Sequence, residues 1–140
     1  MPKTIQAACG AVIINNNKIL LLKRKKTPES NHWGIPGGKI DWMEKIEDAV
    51  CRETLEETSL HISSLRLLVN VNHFDVEQDA HWLAGVYLAT SFKGEAQLVE
   101  PDKHAELGWF SLDNLPTPLT QATEQAISAL REQLPSKVVS

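Results

Sequence analysis

The chain has 140 residues, 42% of them hydrophobic, and a formal net charge of −4. That length can bury one sizeable core but not two, because domains cluster around ~100–150 residues; residues 1–140 are expected to form a single domain. The acidic balance argues against a protein that grips a nucleic acid polymer through runs of Lys and Arg. A small phosphorylated ligand stays open if a divalent cation supplies the missing positive charge.

No segment has the ~20 apolar residues of a membrane helix, and the first residues lack a basic stretch followed by an apolar run and a cleavage site. The expected location is the cytoplasm, with no membrane partner. Cys9 and Cys51 stand far apart with no CxxC spacing, so they are read as reduced, small hydrophobes and not as a disulfide or zinc site.

In chain order, Thr4–Ile14 and Lys18–Arg24 are β-prone runs separated by Asn15-Asn16-Asn17, residues that tolerate left-handed turns, and a hairpin is expected. Thr27–Asn31 reads as a loop. Trp33–Gly38, WGIPGG, is a shaped loop whose Pro and glycines leave backbone free to approach a ligand. Glu44–Thr58 is read as one amphipathic helix, with Ile46, Ala49, Val50 and Thr54 at spacings of three and four. Leu65–Asp75 and Trp82–Phe92 are expected strands joined through Val76–Ala80. Short strands are expected at Ala96–Val99 and Leu107–Phe110, a turn at Ser111–Pro116, a closing helix at Thr120–Leu134 and fraying over Pro135–Ser140.

The segment richest in chemistry is Gly37–Leu60, GGKIDWMEKIEDAVCRETLEETSL. On a helix Glu53, Glu56 and Glu57 share a face. Like charges at these spacings cost roughly 0.2–0.5 kcal/mol per pair, and close carboxylates raise one another's pKa unless a cation holds them ionised. Hard oxygen ligands of this kind suit Mg²⁺ or Mn²⁺, which keep open positions for water and phosphate oxygens. Arg52 stands beside Glu53 and one turn before Glu56, where it can orient the cluster. A Glu-rich face of this kind, taken alone, is more often simply solvated.

The segment resembles the Nudix box, G-x5-E-x7-R-E-U-x-E-E-x-G-U, with U aliphatic. Gly38, Glu44, Arg52, Glu53, Glu56, Glu57 and Leu60 match at the required spacings. Thr54 replaces an aliphatic residue, and Ser59 replaces the glycine that allows a left-handed helix end. Trp33–Lys39, Leu20–Arg24 and Gly108–Pro116 extend the similarity to most of residues 4 to 130. The resemblance implies a Nudix fold of the α/β (α+β) class: an α/β/α sandwich in which a mixed, curved sheet lies between the two helices.

It also implies a metal-dependent hydrolase that cuts a pyrophosphate bond in a nucleoside di- or triphosphate derivative. Glu53, Glu56 and Glu57 would be metal ligands with the Gly37 carbonyl nearby, Glu53 a ligand or the general base, and Glu44 a support for the loop and helix. A glutamate beyond the box completes the site in several relatives; Glu100 is preferred here over Glu106. Gly38, Lys39 and Arg24 are candidates for the phosphate pocket. Phe74 and His81, with Trp33 and Trp82, are candidates to meet the base, although each residue type is commoner in cores and hairpins.

Val76 and Gln78 stand where ADP-ribose and dinucleoside polyphosphate subgroups carry Pro and Tyr. That, with the RET of Arg52–Thr54 and the EPDK of Glu100–Lys103, favours a nucleoside triphosphate. ADP-ribose, NADH, a prenyl diphosphate and a non-catalytic nucleotide-binding module are the alternatives. The module would normally have lost the glutamates that this chain retains. The sequence leaves open whether the chain works alone or as a homodimer.

Overall fold

In a computed structural model, residues 2–133 are described. The first hairpin joins β1 (Ile5–Asn15) to β2 (Lys18–Arg24) through Asn16 and Asn17, with φ 53° and 62°. Two successive positive φ values form the tight turn whose twist matches paired strands. The strands pair at Ile14–Ile19 and Asn15–Lys18, and then diverge.

β1 continues between β6 (Ala80–Lys93), its parallel neighbour over Ile5–Ile13, and the short β4 (Gly37–Lys39), which pairs with Ala8–Gly10. β2 leaves to join β7 (His104–Ser111) and β3 (Trp33–Gly34). β5 (His61–Asp75) forms a long antiparallel hairpin with β6 and is the outer strand. The sheet is mixed, and it opens where β1 and β2 part.

Side chains alternate across β1. Cys9, Ala11 and Ile13 pack with Leu20, Leu60, Ala49 and Val50 beneath α1 (Ile46–Thr58). Val12 faces the other way, joining Leu21, Val71 and Val86 beneath Ala126, Ile127 and Leu130 of α2 (Gln121–Gln133). The two apolar layers make the expected α/β/α arrangement.

Some element boundaries differ from the sequence reading. α1 starts at Ile46 and not at Glu44, because Lys45 is extended (φ −70°, ψ 143°) and Glu44 is occupied with loop contacts. Ala96–Val99 forms no strand; the Gln97 amide donates instead to the Thr58 carbonyl at the end of α1, 2.8 Å away. β5 begins at His61 and β7 at His104, each lengthened by its partner strand. Pro135–Ser140, like the expected helix end at Leu134, lies outside the described residues. Within those residues no helix is long and apolar enough to cross a membrane.

Two glutamines of α2 cover the free edge of β5. The Gln125 side-chain amide accepts from the Asn72 N–H (3.1 Å) and donates to the Asn72 carbonyl (2.6 Å). One turn earlier, Gln121 does the same for Phe74, at 3.1 and 3.0 Å. Each side chain thereby stands in for a strand backbone and satisfies polar groups that would otherwise be left unpaired.

Candidate active site

The parting of β1 and β2 leaves a cavity of about 260 Å³, bordered by Arg24, Gly37, Lys39, Glu57, Trp82 and His104 among others. Beside it, β4 runs against β1 so closely that a Cβ on Gly37 would collide with the Cys9 carbonyl oxygen. Gly38 faces α1. A Cβ there would lie 2.6 Å from the Glu53 carboxylate carbon. The two glycines thus let backbone approach a strand on one side and an acidic side chain on the other.

Arg52 organises the acidic groups of the loop and helix. Its Nε and Nη2 donate to the two oxygens of Glu44 at 2.8 and 2.9 Å, a bidentate pair. Its Nη1 donates to Glu53 (3.0 Å) and Glu56 (3.2 Å), and Nη2 also reaches the Lys39 carbonyl at 3.1 Å. Glu44 in turn accepts from the Asp41 amide at 3.0 Å. Hydrogen bonds from Arg52 hold the Glu44 carboxyl down at about 2.

Glu57 has a different environment. It is buried, and its Oε1 accepts from the Gly37 amide at 3.1 Å. Burial pushes its carboxyl up to about 8 despite that hydrogen bond, and the neighbouring Glu53 and Glu100 push the same way. Glu53, itself within hydrogen-bonding reach of Glu57, is also raised, first by burial. Lys103 Nζ lies 3.4 Å from Glu100, whose hydrogen bond and charge raise its pKa, with Glu53 and Glu57 acting in the same direction from farther off.

A NUDIX domain match covers residues 4–131. The chain belongs to the Nudix family. It is 36% identical over 109 residues to an ADP-ribose pyrophosphatase of Methanocaldococcus jannaschii, covering 78% of this chain and 63% of that relative. It is 31% identical over 94 residues to an 8-oxo-dGTP diphosphatase of Proteus vulgaris, covering 66% of this chain and 82% of that protein. Among solved structures, a MutT NUDIX hydrolase from Burkholderia pseudomallei superposes with a TM-score of 0.89 at 49% identity, over 91% of this chain and 99% of that one. The NUDIX domain of Shewanella oneidensis NrtR, solved with ADP-ribose, gives 0.79 at 27% identity over 95% and 90% of the two chains.

Within this Nudix fold the box glutamates separate. Glu53 and Glu57 face each other near Glu100, whereas Glu56, its side chain 51% exposed, is engaged by Arg52. Among the described residues no three acidic, His or Cys side chains converge as a finished metal cage. The donor set nevertheless fits a hard cation. A buried carboxylate, Glu57, and a half-buried one, Glu53, within mutual reach and with a third nearby, carry a repulsion that a divalent ion would relieve.

Arg24, Gly37, Gly38 and Lys39 line the cavity as well as Glu57. Phe74 and His81 do not. They form an adjacent pair, ring centroids 4.8 Å apart, next to Trp82 and His73, which do line it. Strand alternation turns Phe74 and His81 to the other face. Glu106 lies 3.8 Å from Lys23, opposite it in the β2–β7 pairing, while Glu100 is close enough to Glu57 to act on its carboxyl.

Two ionisable cavity residues escaped sequence reasoning, Glu29 and His104. Glu29 carries a positive φ of 59° and accepts from the Gln121 amide at 2.8 Å. His104 is buried with Nδ1 unpartnered, and burial lowers its pKa. Its position directly after EPDK was the available signal.

Proposed function

We propose that this single-domain Nudix pyrophosphohydrolase uses Mg²⁺ or Mn²⁺ to cut a phosphoanhydride bond in a nucleoside triphosphate or a related nucleoside diphosphate derivative. The observation that carries the reading is the pairing of buried Glu57 with half-buried Glu53, set against the Gly37–Lys39 turn at the edge of a cavity that also contains Arg24. Negative groups buried together are costly without a counter-ion, and a diphosphate beside them needs the same cation.

Glu53, Glu56, Glu57 and Glu100, with the Gly37 carbonyl, would hold the metal. When bound, the ion neutralises the diphosphate and makes a coordinated water more acidic. Glu53 is the residue proposed to take the proton from the attacking water, with its direction set by Arg52 Nη1. Arg24 has no carboxylate partner among the described residues; its Nε donates to the Pro28 carbonyl at 2.9 Å, which leaves its two Nη groups to bind phosphate oxygens alongside Lys39. Water adds to one phosphorus, the bridging oxygen leaves with the other phosphoryl group, and the products are a nucleoside monophosphate and pyrophosphate or a phosphorylated group. A small nucleotide, and no nucleic acid polymer, is the proposed partner.

ADP-ribose is the second reading. It is supported by the name of the Methanocaldococcus jannaschii relative and by the ligand in the Shewanella oneidensis NrtR structure. A panel of dNTPs, oxidised dNTPs, ADP-ribose, NADH and dinucleoside polyphosphates, assayed with Mg²⁺ and Mn²⁺ by product chromatography, separates the two readings. Folded protein that turns over none of these would overturn both.

A further inference from the structure

The cavity contains a cation resting on an aromatic ring. Lys39 Nζ lies 5.6 Å from the centroid of Trp82. The two residues come from strands on opposite edges of β1: Lys39 pairs with Ala8, while Trp82 pairs with Gln6, whose side chain shares a face with that of Ala8. Ala8 and Ala84 are small, so the ammonium and the indole meet over a low stretch of sheet inside the cavity. Lys39 makes no salt bridge among the described residues, although acidic groups are plentiful one strand away. Its ammonium occupies an indole face that a flat aromatic ligand could use.

We propose that Trp82 is the stacking platform for the substrate's base and that Lys39 guards it, covering the indole in the free protein and moving to a phosphate when a nucleotide binds. This rests on the nucleotide reading above and deepens it. An indole accepts any base face, and stacking of this kind is tolerant of base identity. A cation over an indole is stabilised by the ring's quadrupole, so a ligand must offer the ammonium something better before it leaves. A phosphate does. A nucleoside carries a base but no phosphate and must displace Lys39 without compensation; a diphosphate without an aromatic group gives Lys39 a partner but leaves the indole bare. The device favours ligands that carry both groups, and it disfavours prenyl and simple sugar diphosphates.

The chain has four tryptophans, so an amide correlation spectrum contains four indole N–H signals, and Trp82→Phe identifies the one that matters. Titration with α,β-methylene analogues of ATP, GTP, CTP and UTP in Mg²⁺ should move the Trp82 signal, and Lys39→Met should move it without ligand. Trp82→Leu should weaken analogue binding ~10-fold, in keeping with the loss of one stacked base. Lys39→Met should act in opposite directions, weakening the analogues while tightening the parent nucleosides ~2–5-fold. If the analogues bind and substrates turn over while the Trp82 signal stays still and Trp82→Leu binds normally, this proposal is overturned and the hydrolase reading stands. If no analogue binds and no nucleotide is turned over, both are overturned.

Discussion

Gly38 and Glu53 occupy adjoining space: a Cβ at residue 38 would lie 2.6 Å from both the carboxylate carbon and Oε2 of Glu53. The obstructing atoms are the end of a side chain and can swing aside. Gly38→Ala should therefore fold, with a melting temperature within a few degrees of wild type, and lose ~100-fold in turnover through displacement of the proposed base. Gly37→Ala meets backbone instead and should cost stability on the order of 1–3 kcal/mol. Thermal melts paired with initial rates on both variants check this; equal losses of stability would refute the distinction.

The Glu44–Arg52 pair makes a pH signature. Arg52 lowers the Glu44 carboxyl from an ordinary 4.5 to about 2, so its stabilisation is present above pH 4.5 and disappears as pH falls towards 2. Melting temperature measured against pH for wild type and Glu44→Gln should diverge at neutral pH and converge in acid. Parallel curves would show that the bidentate pair contributes nothing to the fold.

Glu57 has the opposite sign. Its carboxyl is raised from 4.5 to about 8, so the folded state binds a proton that the unfolded state releases, and stability without metal falls as pH climbs from 4.5 to about 8. In chelator, Glu57→Gln should be more stable than wild type at pH 8 and should lose the pH slope. Adding Mg²⁺ should raise the wild-type melting point and leave the variant unmoved, while the variant loses most turnover.

Ser59 ends α1 at φ 69°, where its amide donates to the Leu55 carbonyl at 3.0 Å. A side chain in that conformation costs about 1 kcal/mol relative to glycine. Ser59→Gly should raise the melting temperature by ~3 °C with kinetics unchanged. A neutral or negative shift in calorimetry would mean that the serine hydroxyl contributes something the glycine cannot.

The glutamine cover on β5 offers a separate test. Replacing Gln121 and Gln125 together with Ala frees the backbone groups of Asn72 and Phe74. The expected loss is about 1 kcal/mol per glutamine in denaturant unfolding, along with concentration-dependent association detectable by light scattering. A variant that is equally stable and equally monodisperse would show the edge needs no cover.

Much of this arrangement could be read from periodicity. The Asn turn, the apolar stripe of α1 and the alternation in β1 and β6 each follow from one local rule, and spacing alone put Glu53, Glu56 and Glu57 on a common face. Spacing could not show which partner each carboxylate takes. Glu56 meets Arg52 one turn back, as the spacing allows, but Glu57 takes the Gly37 amide and Glu44 takes Arg52, partners twenty and eight residues away. Register decided two further points. The β7 pairing sets Glu106 beside Lys23, and alternation along β5 and β6 sends Trp82, in place of Phe74 and His81, towards the cavity. Ala96–Val99 is apolar enough for a strand but has no neighbour to pair with, and no local rule reveals a missing neighbour.

The first hairpin stays zipped for two residue pairs before its strands take different partners. The recess opens farther along, bordered by Ala8, Cys9 and Gly10 of β1 and by Leu22 and Arg24 of β2, beyond the fully buried Ala11–Ile13 and Leu20–Leu21, while the acidic groups are anchored through Arg52 and the glycine turn. Gly37 and Glu57 belong to both the recess and the acidic cluster, whereas the β2 wall touches only the recess, so substitutions on β2 reshape entry from the side that holds no carboxylate.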